Sequence, residues 1–354
     1  MLKPLQIGPY KLTSNVLLAP MAGITDRPYR DVCRSFGAGL ASSEMIASDI
    51  SLWDSKKSSS RLISRDEAEP RCAQIVGTDP YVMAEAAKHC VDLGVQILDI
   101  NMGCPAKKVC KKAAGSALMQ YPEKVKEILN SVIEAVDIPV TLKTRTGWTD
   151  KNKNVLEIAK IAEQAGVSAL YIHGRTRTQK YAGFAEYETI RQVKENIALP
   201  IIVNGDIKTA EDAKFVLDYT NADGVMLGRV TNGQPWIFDS ISHYLQTGLI
   251  KKQLSHQEKS KVAISHLRKI YEQHLDHSRH SNNTFCQVNQ SFSCPKTSLK
   301  FIEWYLYSMR SQSSKKINKK VFLLNTPEEQ LNAFIQALNE LTPDSQEPAS
   351  QKQR

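Results

Sequence analysis

The sequence predicts an α/β chain: a TIM (β/α)8 barrel followed by a small C-terminal all-helical domain. Three observations carry this. Eight short, β-rich apolar runs recur over roughly the first 230 residues, each closing on a small or polar residue. Amphipathic stretches fill the gaps between them. Beyond about residue 245 the strands stop and only helical periodicity remains. An open, doubly wound sheet is the alternative. It usually has fewer strands, and no G-x-G-x-x-G follows the first run.

The runs, in order, are 16–21, 40–45, 72–77, 97–101, 140–144, 169–173, 201–204 and 224–228. Between them, 121-YPEKVKEILNSVIEAV-136 places Val125, Ile128, Leu129, Val132, Ile133 and Val136 on one helical face. Residues 154–164 and 209–219 repeat the pattern, the former followed by Gly166 as a C-terminal stop. Further on, 257–275, 298–310 and 327–341 read as helices with no strand between them. Residues 276–295 are polar and aperiodic and read as a long loop. The organisation is a barrel over 1–248, a basic helical domain over 249–341 and a disordered tail over 342–354.

Composition narrows the class. The apolar runs reach about six to eight residues, against the roughly 20 that a membrane span needs. The first residues, MLKPLQIGPYKL, lack the apolar core of a signal peptide, so a cytoplasmic protein with no membrane partner is expected. The seven cysteines, at 33, 72, 90, 104, 110, 286 and 294, form neither a disulfide framework nor a zinc spacing. They read as reduced structural thiols, Cys104 excepted. His173 has no second ligand at metal spacing, so no metal is expected. Net charge is +9, unevenly spread: residues 1–248 carry 30 Lys and Arg against 28 Asp and Glu, residues 249–354 carry 16 against 9. A basic final third attracts polyanions by counterion release, although a lysine-rich solvated helical surface gives the same count.

In such barrels chemistry gathers at the carboxyl ends of the strands. There the sequence places Pro20-Met21-Ala22 after strand one, Gln74 on strand three, Asn101 and Cys104 after strand four, and Lys143 with Arg145 on strand five. His173 and Arg175 follow strand six, Asn204-Gly205-Asp206 strand seven, and Gly228-Arg229 strand eight. A lysine inside a barrel is costly unless something anionic or electron-rich meets it; pairing with one carboxylate is the plainer reading. The two glycine-bearing loops with Arg229 beside them suit a phosphate. The residues by themselves suggest a phosphorylated cofactor with a cation over its ring and a thiol opposite.

The stretches 19-APMAGITDRPYR-30, 43-SEM-45, 74-QIVGTDP-80, 99-DINMGCPAKKV-109, 115-GSALMQYP-122, 140-VTLKTRTGW-148, 172-IHGRTR-177, 203-VNGDI-207 and 228-GR-229 resemble the tRNA-dihydrouridine synthase family, its bacterial B-type members above all. The resemblance runs over roughly residues 5–248. It implies reduction of a tRNA uridine to 5,6-dihydrouridine with bound FMN and with NADPH as electron source. Position 17 of the D-loop is the expected target, and the enzyme is expected to act as a monomer. Carried over by motif, Pro20, Met21 and Ala22 would line the flavin, and Gln74 and Lys143 would hold its pyrimidine edge. His173, Asn204, Gly205, Asp206, Gly228 and Arg229 would hold the ribityl chain and phosphate. Hydride would pass from flavin N5 to uracil C6, and Cys104 would give a proton to C5, with Asn101, Arg145 and Arg175 as further substrate-binding candidates. A thiol with its pKa near about 8.5 is protonated at neutral pH and suits that task.

The lysines at 107, 108, 111 and 112 could meet RNA backbone beside Cys104, or simply form a solvated helix start. A stacked uracil must also be turned outward at a cost of about a few kcal/mol, which broad phosphate contacts from the basic domain could offset. One region departs from the B-type pattern G-x-R-x-A-R-K-H: in 294-CPKTSLKFIEWYL-306, Lys296, Leu299 and Phe301 replace two arginines and a histidine, while Trp304 and Tyr305 remain. Lysine cannot reproduce a bidentate arginine contact, so this segment bears on how tRNA is oriented. Two other functions fit parts of the pattern: a flavoenzyme acting on a free pyrimidine, as dihydroorotate dehydrogenases do, and an RNA-binding chaperone.

Overall fold

The computed structural model describes residues 4–279, 296–310, 324 and 326–341. The chain divides into two compact units, one of residues 1–231 and 235–251, the other of 232–234 and 252–354. The tail 342–354, the segment 280–295, and with it Cys286 and Cys294, lie outside the described residues.

The first unit opens with a short antiparallel hairpin, β1 (Gln6–Ile7) and β2 (Tyr10–Lys11). The eight barrel strands follow: β3 (Val16–Leu18), β4 (Ser42–Ala47), β5 (Cys72–Val76) and β6 (Ile97–Asn101). The second four are β7 (Val140–Arg145), β8 (Ala169–His173), β9 (Ile201–Asn204) and β10 (Gly224–Leu227). They are hydrogen-bonded in the order β3-β10-β9-β8-β7-β6-β5-β4, every pair parallel. Leu18 bridges Ala41 just ahead of β4, and the Leu18 amide donates to Leu40 at 2.9 Å, which joins the two ends of the sheet. The close approach here needs a glycine: a Cβ on Gly39 would lie 1.9 Å from the Ser14 carbonyl oxygen.

Alternation along the strands explains what the barrel interior holds. At the amino ends of the strands the inward positions are apolar: Leu17, Cys72, Ile97, Ala169, Ile202 and Met226 belong to one buried cluster. Leu5, Ile7 and Leu12 of the hairpin region join that cluster and close it off. Two residues further along each central strand the inward positions turn polar. Cys72 gives way to Gln74, Ile97 to Asp99 and then Asn101, Ile202 to Asn204. Burial of the lower cluster thus pins the register that lifts the polar residues to the carboxyl end.

Helices fill the connections as the periodicity predicts: Pro122–Ala135, Val155–Ala165 and Ala210–Thr220. Val125, Ile128, Leu129 and Val132 are buried, and Gly166 caps its helix at φ +91°. The Ala210 helix begins on a capping box in which Thr209 and Asp212 each bond the other's backbone amide. The amino-terminal hairpin has too few residues to show a sequence period.

In the second unit the helices are His256–Arg279, Lys296–Ser308 and Pro327–Glu340. The first runs to Arg279, so residues 276–279 are helical where the sequence reading has a loop. Phe301, at the position where the B-type pattern has histidine, is buried, its ring edge-on to His266 at 4.7 Å. His266 Nδ1 lies 3.0 Å from the Tyr305 hydroxyl, and Gln330 Oε1 accepts from both Tyr271 and Ser298 at 2.7 Å.

One buried ion pair tests the packing of the barrel unit. Arg30 and Glu67 meet at 2.5 Å with side chains 3% and 6% exposed, and Arg30 also donates to the Thr25 carbonyl. Glu67→Ala should cost about 3–5 kcal/mol in denaturant unfolding, because it strands a buried guanidinium. Asp66→Ala, which breaks the exposed Arg27–Asp66 pair, should cost no more than about 1 kcal/mol.

Candidate active site

At the carboxyl end of the barrel, neighbouring strands deliver polar side chains in register. Gln74 pairs with Asp99, Asn101 with Lys143, Arg145 with His173, and His173 with Asn204. Lys143 is 8% exposed, and its ammonium donates to Asn204 Oδ1 at 3.0 Å. Asn204 is held for this by its own Nδ2, which donates to the Met226 carbonyl at 2.7 Å. The carboxylate-paired alternative for Lys143 is not what forms: no described carboxylate lies within ion-pair distance of it. Burial lowers its pKa and Asp99 opposes that shift; burial raises the Asp99 carboxyl.

Cys104 sits on the turn that follows β6. The Asn101 carbonyl oxygen of the side chain accepts from the Cys104 amide at 3.0 Å and from Gly103 at 3.3 Å, an Asx-type turn. Ser116 donates its hydroxyl to the Cys104 carbonyl at 2.8 Å. The thiol is half-buried. Burial pushes its pKa up, the amide of Ala106 and the charge of Arg145 pull against this, and the net shift is upward. Cys104 therefore carries its proton at neutral pH. Lys107, Lys108, Lys111 and Lys112 are all exposed just beyond it.

Two buried arginines tie the loops of the mouth. Arg145 donates to the carbonyls of Gly103 at 2.6 Å, Thr176 at 3.1 Å and Lys180 at 2.9 Å, linking the Cys104 turn to the loop after β8. Arg175, 2% exposed, is ion-paired with Asp206 at 2.6 Å and donates to the Gly183 carbonyl at 2.7 Å. Asp206 also accepts from the Ala185 amide at 2.7 Å, from a left-handed backbone at φ +51°. Preceding it, Gly205 sits at φ +120°, where a Cβ would come within 3.0 Å of the His173 ring. So Asp206 and Arg175 engage each other and the loop, while Asn204, His173 and Lys143 face the shared mouth.

His173 is held well below the ordinary histidine pKa, first by burial and then by Arg145, Lys143, Arg175 and Arg229, so its imidazole is neutral. Tyr181, absent from the sequence reading, stands over the mouth: the guanidinium of Arg229 lies 4.8 Å and that of Arg145 5.6 Å from its ring centre. Pro20 and Met21 are half-buried, Ala22 is exposed, and a Cβ on Gly228 would lie 3.8 Å from Met21 Sδ. Asp99 and Glu44 are the other residues that sequence reasoning passed over. Glu44 is buried, accepts from the Gly23 amide at 2.6 Å and pairs with Arg61 at 3.0 Å. Acids inside apolar strands are the signal that could have marked both.

The sequence profile of the family described as dihydrouridine synthase (Dus) matches residues 17–337. The chain belongs to the dihydrouridine synthase family. It is 52% identical over 268 residues to "tRNA-dihydrouridine synthase B" of Vibrio parahaemolyticus, which covers 76% of this chain and 83% of that protein. The relative of the same description from Pseudomonas syringae is 53% identical over 266 residues, covering 75% and 79%. That from Vibrio cholerae is 44% identical over 330 residues, covering 93% and 97%. Among solved structures, an old yellow enzyme homologue from Zymomonas mobilis superposes with a TM-score of 0.51 at 14% identity, over 72% of this chain and 94% of that one. Histamine dehydrogenase from a Rhizobium species gives 0.52 at 11%, over 75% and 50%. At such identities these two establish the barrel fold alone. No described helix of this dihydrouridine synthase is long and apolar enough to cross a membrane, and no described cluster of His, Cys, Asp and Glu could hold a metal ion.

The arginine tether is directly testable. Arg145→Met removes three donors to loop carbonyls, so amide hydrogen exchange at 103–104 and across 176–183 should quicken by on the order of tenfold. Exchange inside β7, at 140–144, should stay as it is.

Proposed function

We propose that this protein is an FMN-dependent tRNA-dihydrouridine synthase that reduces a D-loop uridine, at position 17, with NADPH as electron donor. The observation that carries the cofactor is Lys143. Its buried ammonium has three protons and one neutral partner, Asn204 Oδ1, so the site is short of an electron-rich acceptor. The electron-rich N1–O2 edge of a flavin answers that shortage, and Gln74 and Asn101 add amide groups beside it. His173, Asn204, Gly205, Asp206, Gly228 and Arg229 are assigned to the ribityl chain and phosphate, with Arg229 exposed and free of any described carboxylate. Pro20, Met21 and Ala22 are assigned to the wall of the ring site.

Bound FMN would supply the hydride for uracil C6. What remains is one proton for C5, and the chain provides it from Cys104, whose thiol burial keeps protonated. The Asn101 side chain and the Ser116 hydroxyl hold that turn from both of its ends. Lys143 offsets negative charge gained in the site, and the low local dielectric strengthens the effect. Over one turnover the uracil C5–C6 double bond gains the hydride and the proton, and NADPH is oxidised to NADP⁺. Arg145, Asn101 and Arg175 act at the substrate side by holding the walls of the mouth. The basic second unit is assigned to the phosphates of tRNA, with Lys107, Lys108, Lys111 and Lys112 beside Cys104 as a second cationic edge. The protein works as a cytoplasmic monomer.

The purified protein should be yellow and bind FMN. Cys104→Ala should keep FMN and tRNA binding while the oxidation of pre-reduced enzyme by unmodified tRNA falls by about 100-fold or more, followed anaerobically by flavin absorbance. Wild-type rates in that variant would remove the proton-donor assignment. In the wild type the active form is the protonated thiol. Since folding raises its pKa, the rate should hold through neutral pH and through the ordinary thiol value of about 8.5, and decline only at higher pH. Mapping dihydrouridine in tRNA from cells with and without the gene should show loss at position 17.

A further inference from the structure

Asp99 is fully buried inside the barrel, two residues before Asn101, and the proposed reaction makes no direct use of it. Its carboxylate accepts from Gln74 Nε2 at 2.6 Å and from the Thr141 hydroxyl at 2.9 Å. Gln74 Oε1 in turn accepts from Asn101 Nδ2 at 2.8 Å, and Asn101 Oδ1 accepts from the amides of Cys104 and Gly103. Three of these side chains, Asp99, Gln74 and Asn101, form one directed chain that runs from the carboxylate to the backbone of the Cys104 turn.

Both carboxyl oxygens of Asp99 accept, one from Gln74 Nε2 and the other from the Thr141 hydroxyl, so the group facing it is the Gln74 NH2. That places the Gln74 oxygen toward Asn101, which must then offer its own NH2 and keep its oxygen for the turn. Inverting either amide sets oxygen against oxygen at Asp99, or NH2 against N–H at Cys104. Each mismatch leaves buried polar groups unpaired, which is costly where water cannot reach. An amide oxygen only accepts and an amide NH2 only donates, so the direction is fixed at both ends of the chain: by the acid at one, and at the other by the Cys104 and Gly103 N–H groups, which can only donate.

We propose that Asp99 is a positioning residue: through Gln74 and Asn101 it sets the direction of the amide chain and so holds the turn that presents the Cys104 thiol. The purpose given to that thiol rests on the proposed function; the positioning itself is measured without substrate or flavin turnover.

The test uses full-length protein labelled with iodoacetamide, the rate at each cysteine being read by mass spectrometry. Cys72 and Cys90 are buried in the barrel unit and report whether the fold is intact. Asp99→Leu should raise the labelling rate of Cys104 at least fivefold while Cys72 and Cys90 stay unlabelled, because a loosened turn both exposes the thiol and relieves the burial that keeps it protonated. Gln74→Leu should give a similar rise, and the double variant should give no more than either single one, since both break one chain. A Cys104 rate within twofold of wild type in Asp99→Leu overturns the proposal, as do additive effects in the double variant. If Asp99→Leu exposes Cys72 and Cys90, Asp99→Asn decides. It keeps an acceptor and loses the charge, so Cys104 labelling should rise about two- to threefold in the wild-type background and not at all in Gln74→Leu. Equal rises in both backgrounds, or none in either, overturn the proposal. A functional readout follows: anaerobic oxidation of pre-reduced Asp99→Asn by tRNA should slow by about fivefold while its reduction by NADPH stays within twofold. If wild-type enzyme itself is not oxidised by tRNA, the proposed function falls and the labelling result still decides the role of Asp99.

Discussion

The constraint on which the site depends is the burial of an ammonium and a carboxylate in the same barrel with no ion pair between them. Lys143 is satisfied by an amide oxygen of Asn204, and Asp99 by the amide of Gln74 and the hydroxyl of Thr141. Each charge is therefore held at a fixed place by neutral groups that cannot cancel it. A direct salt bridge would have removed both from chemistry; the amide spacers keep the positive end available to an incoming acceptor. The apolar layer below, from Leu17 through Met226, supplies the rigid floor that holds these strands in register.

Above the strands the same economy governs the loops. Few of the polar contacts there join side chains of opposite charge. Several run from a buried arginine to a backbone carbonyl, as Arg145 does to Gly103, Thr176 and Lys180. Such contacts order two loops at once; burial first, and then the charges of Arg145, Lys143, Arg175 and Arg229, depress the pKa of His173, while the guanidinium groups of Arg145 and Arg229 lie over the Tyr181 ring. A site with several such cations suits a substrate and a cofactor that both bring phosphate.

Much of this was legible in the chain. The eight apolar runs correspond to the eight parallel strands, and the ends of those runs name Gln74, Asn101, Lys143, His173 and Asn204, which the barrel brings to one end. Strand periodicity was readable because both faces of a barrel strand are buried and its polar residues stand out against that background. Asp99 was not read as a site residue, since its partners, Gln74 and Thr141, come from neighbouring strands distant in sequence. Tyr181 lay in a loop without a period, and its partners Arg145 and Arg229 are distant in sequence. Phe301, read as a departure from a pattern bearing on tRNA, turns out to be a core residue against His266.

By itself the sequence determined the fold class, the family and the identities of the groups at the strand ends, because hydrophobic period and motif spacing are local properties of the chain. Only the tertiary structure decided which of those groups face the mouth and which are used up on each other. Arg175 and Asp206 lie 31 positions apart and neutralise one another, whereas Lys143 has no described carboxylate within ion-pair distance. The reason is geometric: strand register, set by apolar packing below, places side chains from distant segments within about 3 Å, and hydrogen-bond direction at that range is decided by whichever neighbour can only accept.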